Sequence, residues 1–352
     1  MRATASVLDV RLTDPLRQTA ASPQLRPLIR LTIEAGDGAV GHGEAAPLEA
    51  YDGVSVARVM TALTAYAEVL AGEDQAREDA LAACAQADPL PQALAAVDLA
   101  LWDLAGRRVD RPVWELLGAS DPPPVAVNAT IGAVSPRDAA REALAAQAAG
   151  FTCLKLKVGT PDDRQRLAAV REAVGPEMLI RVDANGAWDQ LTAPERIHAL
   201  GRFDIELFEE PVHGVAASEA VARAVPGAAI ALDESAGTEQ GAFTHRCCDA
   251  VCLKISSSGG INGLLRDAEA ARAVGYEVYL ASTLDGPLGI AAALHAAAVL
   301  GPDRHCGLAT LGRFGRPAPG ALVPAGGQLC MPAGPGLGTG LLQWYEGDGS
   351  SV

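Results

Sequence analysis

Six short apolar runs between residues 153 and 282 each end in a polar or charged residue, and these ends recur at a regular spacing. One set of ends consists, in chain order, of Lys157, Asp183, Glu209, Asp233 and Lys254, about 21 to 26 residues apart. A strand, a turn, a helix and a return loop together occupy about that many residues. The series therefore predicts consecutive βα units that each bring one charged group to the same end of a barrel.

The chemistry of these five ends indicates a metal site between two bases. Three ends are carboxylates, and a lysine lies on either side of them in the series. Oxygen ligands favour a hard cation such as Mg²⁺ or Mn²⁺ over zinc. The combination suits removal of a proton next to a carboxylate, with the resulting enediolate held by a divalent cation. A solvated charge would explain any one of these residues alone, but it is a weak explanation for five in register.

Side chains alternate along a strand, and the alternation indicates which of them point into the barrel. Lys155 and Lys157 lie two residues apart and share a face. In the third run, Glu209 shares a face with the apolar residue two positions earlier, so Glu209 rather than Glu210 is predicted to point inward. The same alternation favours Asp233 over the acid that follows it.

The composition indicates an intracellular enzyme with more than one domain. At 352 residues the chain exceeds the usual size of a single core. A formal net charge of −15 argues against nucleic-acid and anionic-membrane partners, whereas a small anionic carboxylate substrate remains compatible. The seven cysteines form no CxxC pair and no run approaches transmembrane length. We therefore expect a cytoplasmic protein, and a homo-oligomeric state is left open.

The part of the chain before the barrel has a different pattern. Residues 4–12 and 27–35 are strand-like, and Asp37-Gly38 is a hairpin signal that leads into VGHGEAAPL at 40–48. Helices are predicted at about 54–71, 75–87 and 91–106. Antiparallel strands followed by helices indicate an α+β domain joined to an α/β barrel.

These patterns divide the chain into three parts. The capping domain is predicted at residues 1–122, the barrel at 123–318 and a C-terminal segment at 319–352. The first boundary falls in the proline-rich run at 121–124, just before VAVNATIG (125–132), the first predicted barrel strand. Beyond about residue 318 the chain is rich in Gly and Pro, and we expect it to pack back on the capping domain.

Seven motifs occur in a fixed order along nearly the whole chain: GHGEAAPL, VDLALWDLAGRR, LKLKVG, RVDANGAW, FEEP, ALDES and LKISSSGG. In this order and at these spacings the chain resembles the enolase superfamily, specifically its muconate-lactonizing subgroup. That subgroup includes o-succinylbenzoate synthases, dipeptide epimerases, muconate cycloisomerases and N-acylamino acid racemases. The resemblance implies a modified TIM barrel, a (β/α) barrel with an N-terminal α+β capping domain.

The resemblance also implies roles for individual residues. It assigns three Mg²⁺ ligands, namely Asp183, Glu209 and Asp233. It makes Lys157 the general base, Lys155 its electrostatic neighbour, and Lys254 the lysine on the opposite face of the substrate. Arg181 and Asn185 flank Asp183 and are candidates to orient it, although turn chemistry explains Asn185 equally well.

The resemblance implies that loops of the first domain and the last barrel strands contact the distal end of the substrate. Within the resemblance, Ser282 and Thr283 help to hold a succinyl group, Asp285 occupies the acidic position of the family, and Leu308 lines an apolar wall. Dipeptide epimerases typically carry an Asp-x-Asp pair in the eighth strand region, where this chain has Gly-Leu-Ala-Thr at 307–310. The segment looks most like that of the o-succinylbenzoate synthases.

The favoured function is therefore a Mg²⁺-dependent o-succinylbenzoate synthase, a lyase of menaquinone synthesis. The alternatives are a dipeptide epimerase or N-acylamino acid racemase, in which Lys254 exchanges a proton on the opposite face, and a muconate cycloisomerase. A non-catalytic barrel stabilised by a metal is disfavoured, because such a protein has no evident need for the paired lysines at 155 and 157.

Overall fold

The computed structural model describes residues 1–13, 25–72, 74–238 and 241–346. Its N-terminal part contains the antiparallel strands β1 (Arg2–Arg11), β2 (Leu25–Glu34) and β3 (Val40–Ala45), which pair in that order. The predicted hairpin turn joins β2 to β3, and Gly38 has a φ of 82°, a backbone conformation that favours glycine.

Helices cover one face of this sheet, and three of them match the predicted helices to within about two residues. The helices of this part are α1 (Glu49–Asp52), α2 (Val56–Leu70), α3 (Arg77–Ala87), α4 (Pro91–Arg108) and α5 (Val113–Leu116). Apolar residues of β2, α2 and α4, including Ile29, Leu63 and Val97, form a core that is separate from that of the barrel. The capping domain therefore has its own buried interior.

Helix α4 lies very close to β3 because two glycines of the strand face it. A Cβ atom on Gly41 would lie 2.1 Å from the carbonyl oxygen of Ala100, and one on Gly43 would lie 2.0 Å from that of Ala96. Real Cβ atoms do not approach backbone this closely, and backbone cannot move aside as a flexible side chain can. The glycines of GHGEAAPL thus set the distance between the sheet and the helix.

Replacing Gly43 with alanine is expected to lower the free energy of unfolding by about 3 kcal/mol or more, because the strand and the helix must separate. The matched control is Gly201→Ala, since a Cβ atom at Gly201 meets nothing within 4 Å. That variant should be unchanged or more stable by up to about 1 kcal/mol. Urea denaturation measures both, and equal midpoints for the two variants would contradict the packing argument.

Parallel strands and helices alternate in the barrel, after a short strand β4 (Val125–Ala126). The barrel strands are β5 (Ala129–Ile131), β6 (Cys153–Lys157), β7 (Leu179–Asp183), β8 (Ile205–Glu209), β9 (Ile230–Leu232), β10 (Ala250–Leu253) and β11 (Glu277–Leu280). The helices are α6 (Pro136–Ala148), α7 (Asp163–Val174), α8 (Ala193–Gly201), α9 (Val215–Ala224), α10 (Glu234–Thr238), α11 (Ile255–Ser258), α12 (Ile261–Ala273) and α13 (Pro287–Leu300). Strands β5 to β11 pair in chain order. The predicted barrel with an N-terminal α+β capping domain is confirmed.

Short bridges close the barrel where an eighth strand is expected. Ala281 pairs with Gly307 and Val127 pairs with Cys306, both in parallel orientation. The first predicted barrel strand, residues 125–132, is divided, because β4 instead pairs antiparallel with β12 (Gln328–Leu329). The amide of Val127 donates to the carbonyl of Gly327 at 2.9 Å. The C-terminal segment therefore takes the backbone hydrogen bonds that a regular first strand would give to the barrel.

The C-terminal segment also contacts the capping domain, up to α14 (Gln343–Glu346). The amide of Leu337 donates to Asp103 of α4 at 2.8 Å, and the hydroxyl of Tyr345 donates to Glu44 of β3. Residues 347–352 of the predicted segment lie outside the described residues, and the domain boundaries near residues 122 and 318 stay a prediction.

Two buried charged residues join the capping domain to the barrel. Asp98 of α4 accepts hydrogen bonds from the amide of Ile261 at 2.6 Å and from the side chain of Asn262 at 2.8 Å, at the N-terminus of α12. Burial raises the pKa of Asp98 to about 7, and the amide hydrogen bonds at the helix N-terminus, which favour the charged form, offset this only in part. Arg26 of β2 donates to the carbonyls of Ala46 and Thr283, at 2.7 and 2.9 Å. It thus ties the loop after β3 to the loop after β11.

Helix α13 is almost entirely apolar, and His295 is its one polar side chain. His295 Nδ1 accepts from the amide of Trp114 at 3.3 Å, and Nε2 lies 3.1 Å from the carbonyl of Leu337. Burial lowers the pKa of His295 to about 4, so the ring is neutral near pH 7 and serves as a structural link. Among the described residues, none of the helices is both long and apolar enough to cross a bilayer.

Candidate active site at the barrel mouth

Three carboxylates lie side by side at the C-terminal ends of adjacent barrel strands. Asp183 ends β7 and pairs with Glu209, which ends β8, and Asp233 directly follows β9. All three are buried, with at most 5% of each residue exposed. The parallel pairing of the strands thus brings the three acids together at the mouth, as the spacing of the strand ends along the sequence predicts. Buried carboxylates in such a group require positive charge nearby.

Two lysines of β6 provide part of that charge. Lys155 Nζ lies 2.6 Å from Glu209 Oε1 and 2.8 Å from Asp183 Oδ2. Lys157 Nζ lies 2.5 Å from Asp183 Oδ2. Burial lowers the pKa of Lys155, but the charges of Asp183 and then Glu209 more than offset it, so the pKa lies well above its usual value. Lys155 is therefore a fixed positive charge between two carboxylates.

Lys254 lies on the far side of the carboxylates, together with a residue that the sequence analysis missed. It follows β10 and forms an ion pair with Asp233. Tyr51, from α1 of the capping domain, donates from its hydroxyl to Asp233 Oδ1 at 3.0 Å and accepts from Lys254. The Lys254 ammonium also lies 4.4 Å from the centre of the Tyr51 ring, within the range of a cation–π interaction. The capping domain therefore supplies one side of the mouth.

The chain contains three lysines in total, and all three lie at this mouth. The other residues counted with lysine as basic are arginines. A guanidinium stays protonated in proteins, whereas the pKa of a lysine can be lowered enough for it to act as a base. All three lysine amines of the chain thus lie at the mouth. Burial lowers the pKa of Lys254, but the charge of Asp233 more than offsets it and leaves the pKa above its usual value.

The carboxylates fit a hard divalent cation. Glu209 Oε2 is buried and has no hydrogen-bond partner among the described residues, so it is available as a ligand. The ligand atoms of Glu209, Asp233 and Cys252 all lie within 4.8 Å of one another. Burial raises the pKa of the Cys252 thiol well above its usual value, so the charged donors here are carboxylate oxygens. Asp183 lies outside this group of three and contacts the same lysine as Glu209, Lys155. It stays the third predicted oxygen ligand, of the kind that Mg²⁺ and Mn²⁺ prefer.

Two further acids lie next to these ligands, and strand alternation predicts the side-chain direction of only one of them. Glu210 points away from the mouth and accepts from the amide of Asp233 at 2.7 Å. Glu234 remains at the mouth, where it accepts from Asn185 Nδ2 at 2.7 Å. Asn185 Oδ1 in turn accepts from Lys157 at 2.7 Å. The strand pattern did not find Glu234 because α10 begins at this residue, and strand alternation does not continue into a helix.

Arg181 is fully buried on β7, two residues before Asp183. It donates to the carbonyl of His305 at 2.9 Å and to Glu206 at 3.2 Å, and it lies over the ring of Tyr279 at 5.2 Å. Among the described residues, these hydrogen bonds do not extend to Asp183. Arg181 thus links β7 and β8 to the segment at residues 305–310 that closes the barrel, which we call the closing segment. Its suggested role in orienting Asp183 stays a prediction.

The residues predicted to contact the distal end of the substrate lie around the last strands. Ser282 Oγ is 2.8 Å from Thr310 Oγ1, so a hydroxyl pair joins β11 to the closing segment. Thr283 donates to Asp285 Oδ1 at 2.7 Å, and Asp285 is buried. Burial raises the pKa of Asp285 above its usual value. Leu308 is also buried and belongs to the barrel core.

Comparisons with known proteins agree with this geometry. The family described as "Enolase C-terminal domain-like" matches residues 138–343, and "Mandelate racemase / muconate lactonizing enzyme, N-terminal domain" matches residues 2–118. The chain is 30% identical over 361 residues to the L-Ala-D/L-Glu epimerase of Bacillus subtilis (strain 168), with 96% of each chain covered. It is 38% identical over 196 residues to the o-succinylbenzoate synthase of Thermobifida fusca (strain YX), with 53% of this chain and 60% of that enzyme covered.

Solved structures show the same architecture. The dipeptide epimerase of Enterococcus faecalis V583, complexed with Mg and the dipeptide L-Leu-L-Tyr, superposes with a TM-score of 0.87 at 26% identity. The match covers 96% of this chain and 98% of the epimerase. The family models match both parts of the chain, and the chain is an enzyme that belongs to the muconate-lactonizing subgroup of the enolase superfamily.

Proposed function

We propose that the protein is a Mg²⁺-dependent enzyme that removes the proton α to a substrate carboxylate, and that its reaction is the dehydration performed by o-succinylbenzoate synthases. The observation that carries the proposal is the placement of Lys157 and Lys254 on opposite sides of three buried carboxylates. A substrate bound between the lysines has an amine on each face. Support for a cation comes from the oxygen donor set and from the Mg in the related epimerase structure.

The residues at the mouth have different roles in the reaction. When bound, a divalent cation supplies positive charge beside the substrate carboxylate, which makes the neighbouring proton easier to remove. Lys157, held by Asp183 and Asn185, takes that proton. Lys254, held by Tyr51, presents a positive charge to the opposite face as negative charge develops on the substrate. Loss of hydroxide from the cyclohexadiene ring then gives the aromatic product.

The choice of dehydration depends on the distal end of the pocket. Residues 307–310 contain no carboxylate, and the polar groups of Ser282 and Thr310 are neutral hydroxyls. Asp285 Oδ1 accepts from Thr283, whereas the buried Asp285 Oδ2 has no hydrogen-bond partner among the described residues. The side chain lies against α13, where a Cβ atom on Gly289 would be 2.8 Å from Asp285 Cβ. Of the groups named here, only Asp285 Oδ2 is open to the ammonium group of a dipeptide, and residues 307–310 add no second carboxylate. The ammonium would therefore be held less well than by a pair of acids. A succinyl carboxylate instead finds hydroxyl donors.

Epimerization of a dipeptide, or racemization of an acylated amino acid, is the second candidate. The observation that favours it is the match to an epimerase along 96% of both chains, whereas the match to a synthase covers 53% of this chain. In this reaction one of the two lysines removes the proton from its face of the substrate, and the other, in its protonated form, delivers a proton to the opposite face. Lys157 and Lys254 exchange these roles for the other stereoisomer.

A substrate panel tests the choice. In the presence of Mg²⁺, kcat/KM should be highest for the succinyl-bearing cyclohexadiene acid, lower for N-succinyl amino acids and lowest for L-dipeptides. Exchange of the substrate α-proton with D₂O separates the roles of the lysines, with Lys254→Ala as the informative variant. A synthase should retain α-proton exchange in that variant, because Lys157 is the base. Loss of α-proton exchange from only one stereoisomer would indicate an epimerase instead of a synthase. So would a kcat/KM that is highest for a dipeptide.

A further inference from the structure

Two adjacent cysteines lie at the end of the barrel opposite to the lysines. Cys247 and Cys248 precede β10, whose other end leads to Lys254. Their sulfur atoms are 3.5 Å apart. Both residues line a surface cleft of about 450 Å³, together with Arg246 and Asp249. The cleft gives a small ligand a route to two thiols that the reaction at the mouth does not use.

The geometry is unfavourable for a disulfide between these two residues. Consecutive Cα atoms across a trans peptide bond are about 3.8 Å apart, less than the roughly 4.4 Å at which the usual range for disulfides begins. The sulfurs would also have to approach to about 2.0 Å from their separation of 3.5 Å. The two thiols are therefore expected to stay reduced in the folded protein.

The same geometry suits two sulfur ligands on one metal ion. Two thiolates bound to a tetrahedral ion at about 2.3 Å lie roughly 3.8 Å from each other, close to the observed separation. Metal ions bind cysteine in its thiolate form, and the surroundings of Cys247 favour that form. Tyr276 Oη lies 3.1 Å from Cys247 Sγ. Hydrogen bonds from Cys248 and then Tyr276 lower the pKa of Cys247 to about 7, whereas the hydrogen bond with Cys247 and burial raise the pKa of Cys248 well above its usual value. Binding of an ion must therefore displace the proton of Cys248.

We propose that Cys247 and Cys248 form a chelating site for one soft divalent cation of the Zn²⁺ or Cd²⁺ class. The site is distinct from the oxygen ligands at the mouth, which select a harder ion. As two sulfur–metal bonds form, each thiol loses its proton to solvent, and the charge of the ion is balanced by two thiolates. Water from the cleft would complete the remaining coordination positions of such an ion.

Titration of the reduced protein with Cd²⁺ tests the site, in saturating Mg²⁺ so that the mouth is occupied by the harder ion. One Cd²⁺ should bind with the ultraviolet absorption of a cadmium–thiolate bond. Cys247→Ser and Cys248→Ser should each weaken binding by at least about tenfold, since even the loss of an outer partner of a metal ligand has that effect. The matched control is Cys330→Ser, because Cys330 is a lone exposed cysteine, and this variant should bind as the wild type does.

A second measurement needs no variant and covers the case in which a serine variant does not fold. Cd²⁺ should slow alkylation of Cys247 and Cys248 by iodoacetamide, as followed by peptide mass spectrometry, while Cys330 reacts at an unchanged rate. Equal alkylation of the pair with and without Cd²⁺ would overturn the proposal. So would an unchanged thiolate absorption in both serine variants, because the signal would then come from another thiol such as Cys252. A Cys247–Cys248 disulfide in the air-exposed protein would also overturn it.

Discussion

Replacing Lys157 with alanine is expected to lower kcat by at least about four orders of magnitude when proton removal limits the rate. The amine of Lys157 is held by Asp183 and Asn185 at the edge of the carboxylate group, and the other lysine on the same face of β6 is Lys155. Lys155 cannot replace it, because its ammonium is already bound between Asp183 and Glu209. Steady-state kinetics on the preferred substrate of the panel measure the loss.

The matched control removes a positive charge from the surface. Arg141→Ala should keep the wild-type kcat, since Arg141 is exposed and pairs only with the neighbouring Asp138 in the described structure. Folding of the lysine variant can be followed directly. Protein labelled at the lysine side chains should show three lysine signals by NMR, and Lys157→Ala should lose one and keep the others. A folded Lys157→Ala variant with more than about a tenth of the wild-type kcat would contradict the assignment of the base.

Removal of divalent cations is expected to abolish activity, and Mg²⁺ or Mn²⁺ should restore it. Asp183, Glu209 and Asp233 are buried on adjacent strand ends, and a bound cation offsets their mutual repulsion. Mg²⁺ should therefore also raise the melting temperature, because the ion binds the folded state and not the unfolded chain. Asp183→Asn, Glu209→Gln and Asp233→Asn should each raise the Mg²⁺ concentration for half-maximal effect by at least about tenfold.

The thermal measurement separates metal binding from catalysis, since it gives a result for inactive variants as well. Glu172→Gln is the control, because Glu172 is an exposed carboxylate on α7, and it should leave the response to Mg²⁺ unchanged. Full activity of a preparation shown to contain no metal would mean that the reaction does not need a metal ion. An unaltered Mg²⁺ response in all three ligand variants would place the ion elsewhere.

The parts of the site that could be predicted from sequence are those fixed by one strand each. Asp183 and Glu209 are the last residues of β7 and β8, and parallel pairing with equal strand ends brings them together whatever the connecting helices contain. The charged strand ends of the βα series therefore predicted both the barrel and the group of three carboxylates.

The parts that sequence reasoning missed depend on contacts between distant segments. Tyr51 reaches Lys254 across 203 residues of sequence, and its position depends on how the capping domain sits on the barrel. Arg26 is similar, since its carbonyl partners come from two loops that periodicity cannot pair. The predicted first barrel strand failed at its start for a related reason. Residues 125–126 have the apolar pattern of a strand, but the pattern does not show that their partner is the C-terminal segment.

The confinement of lysine to the mouth has a consequence for the chemical behaviour of the whole protein. Acetylation, ubiquitin conjugation and amine-directed labels require an accessible amino group, and each lysine of this chain is buried among carboxylates. The amino group of Met1 is itself held by the carbonyl of Gly72. The folded protein thus presents an outer surface on which such reagents find no lysine to modify. A small amine-specific reagent that does modify it should act as an inhibitor, and substrate should protect against it.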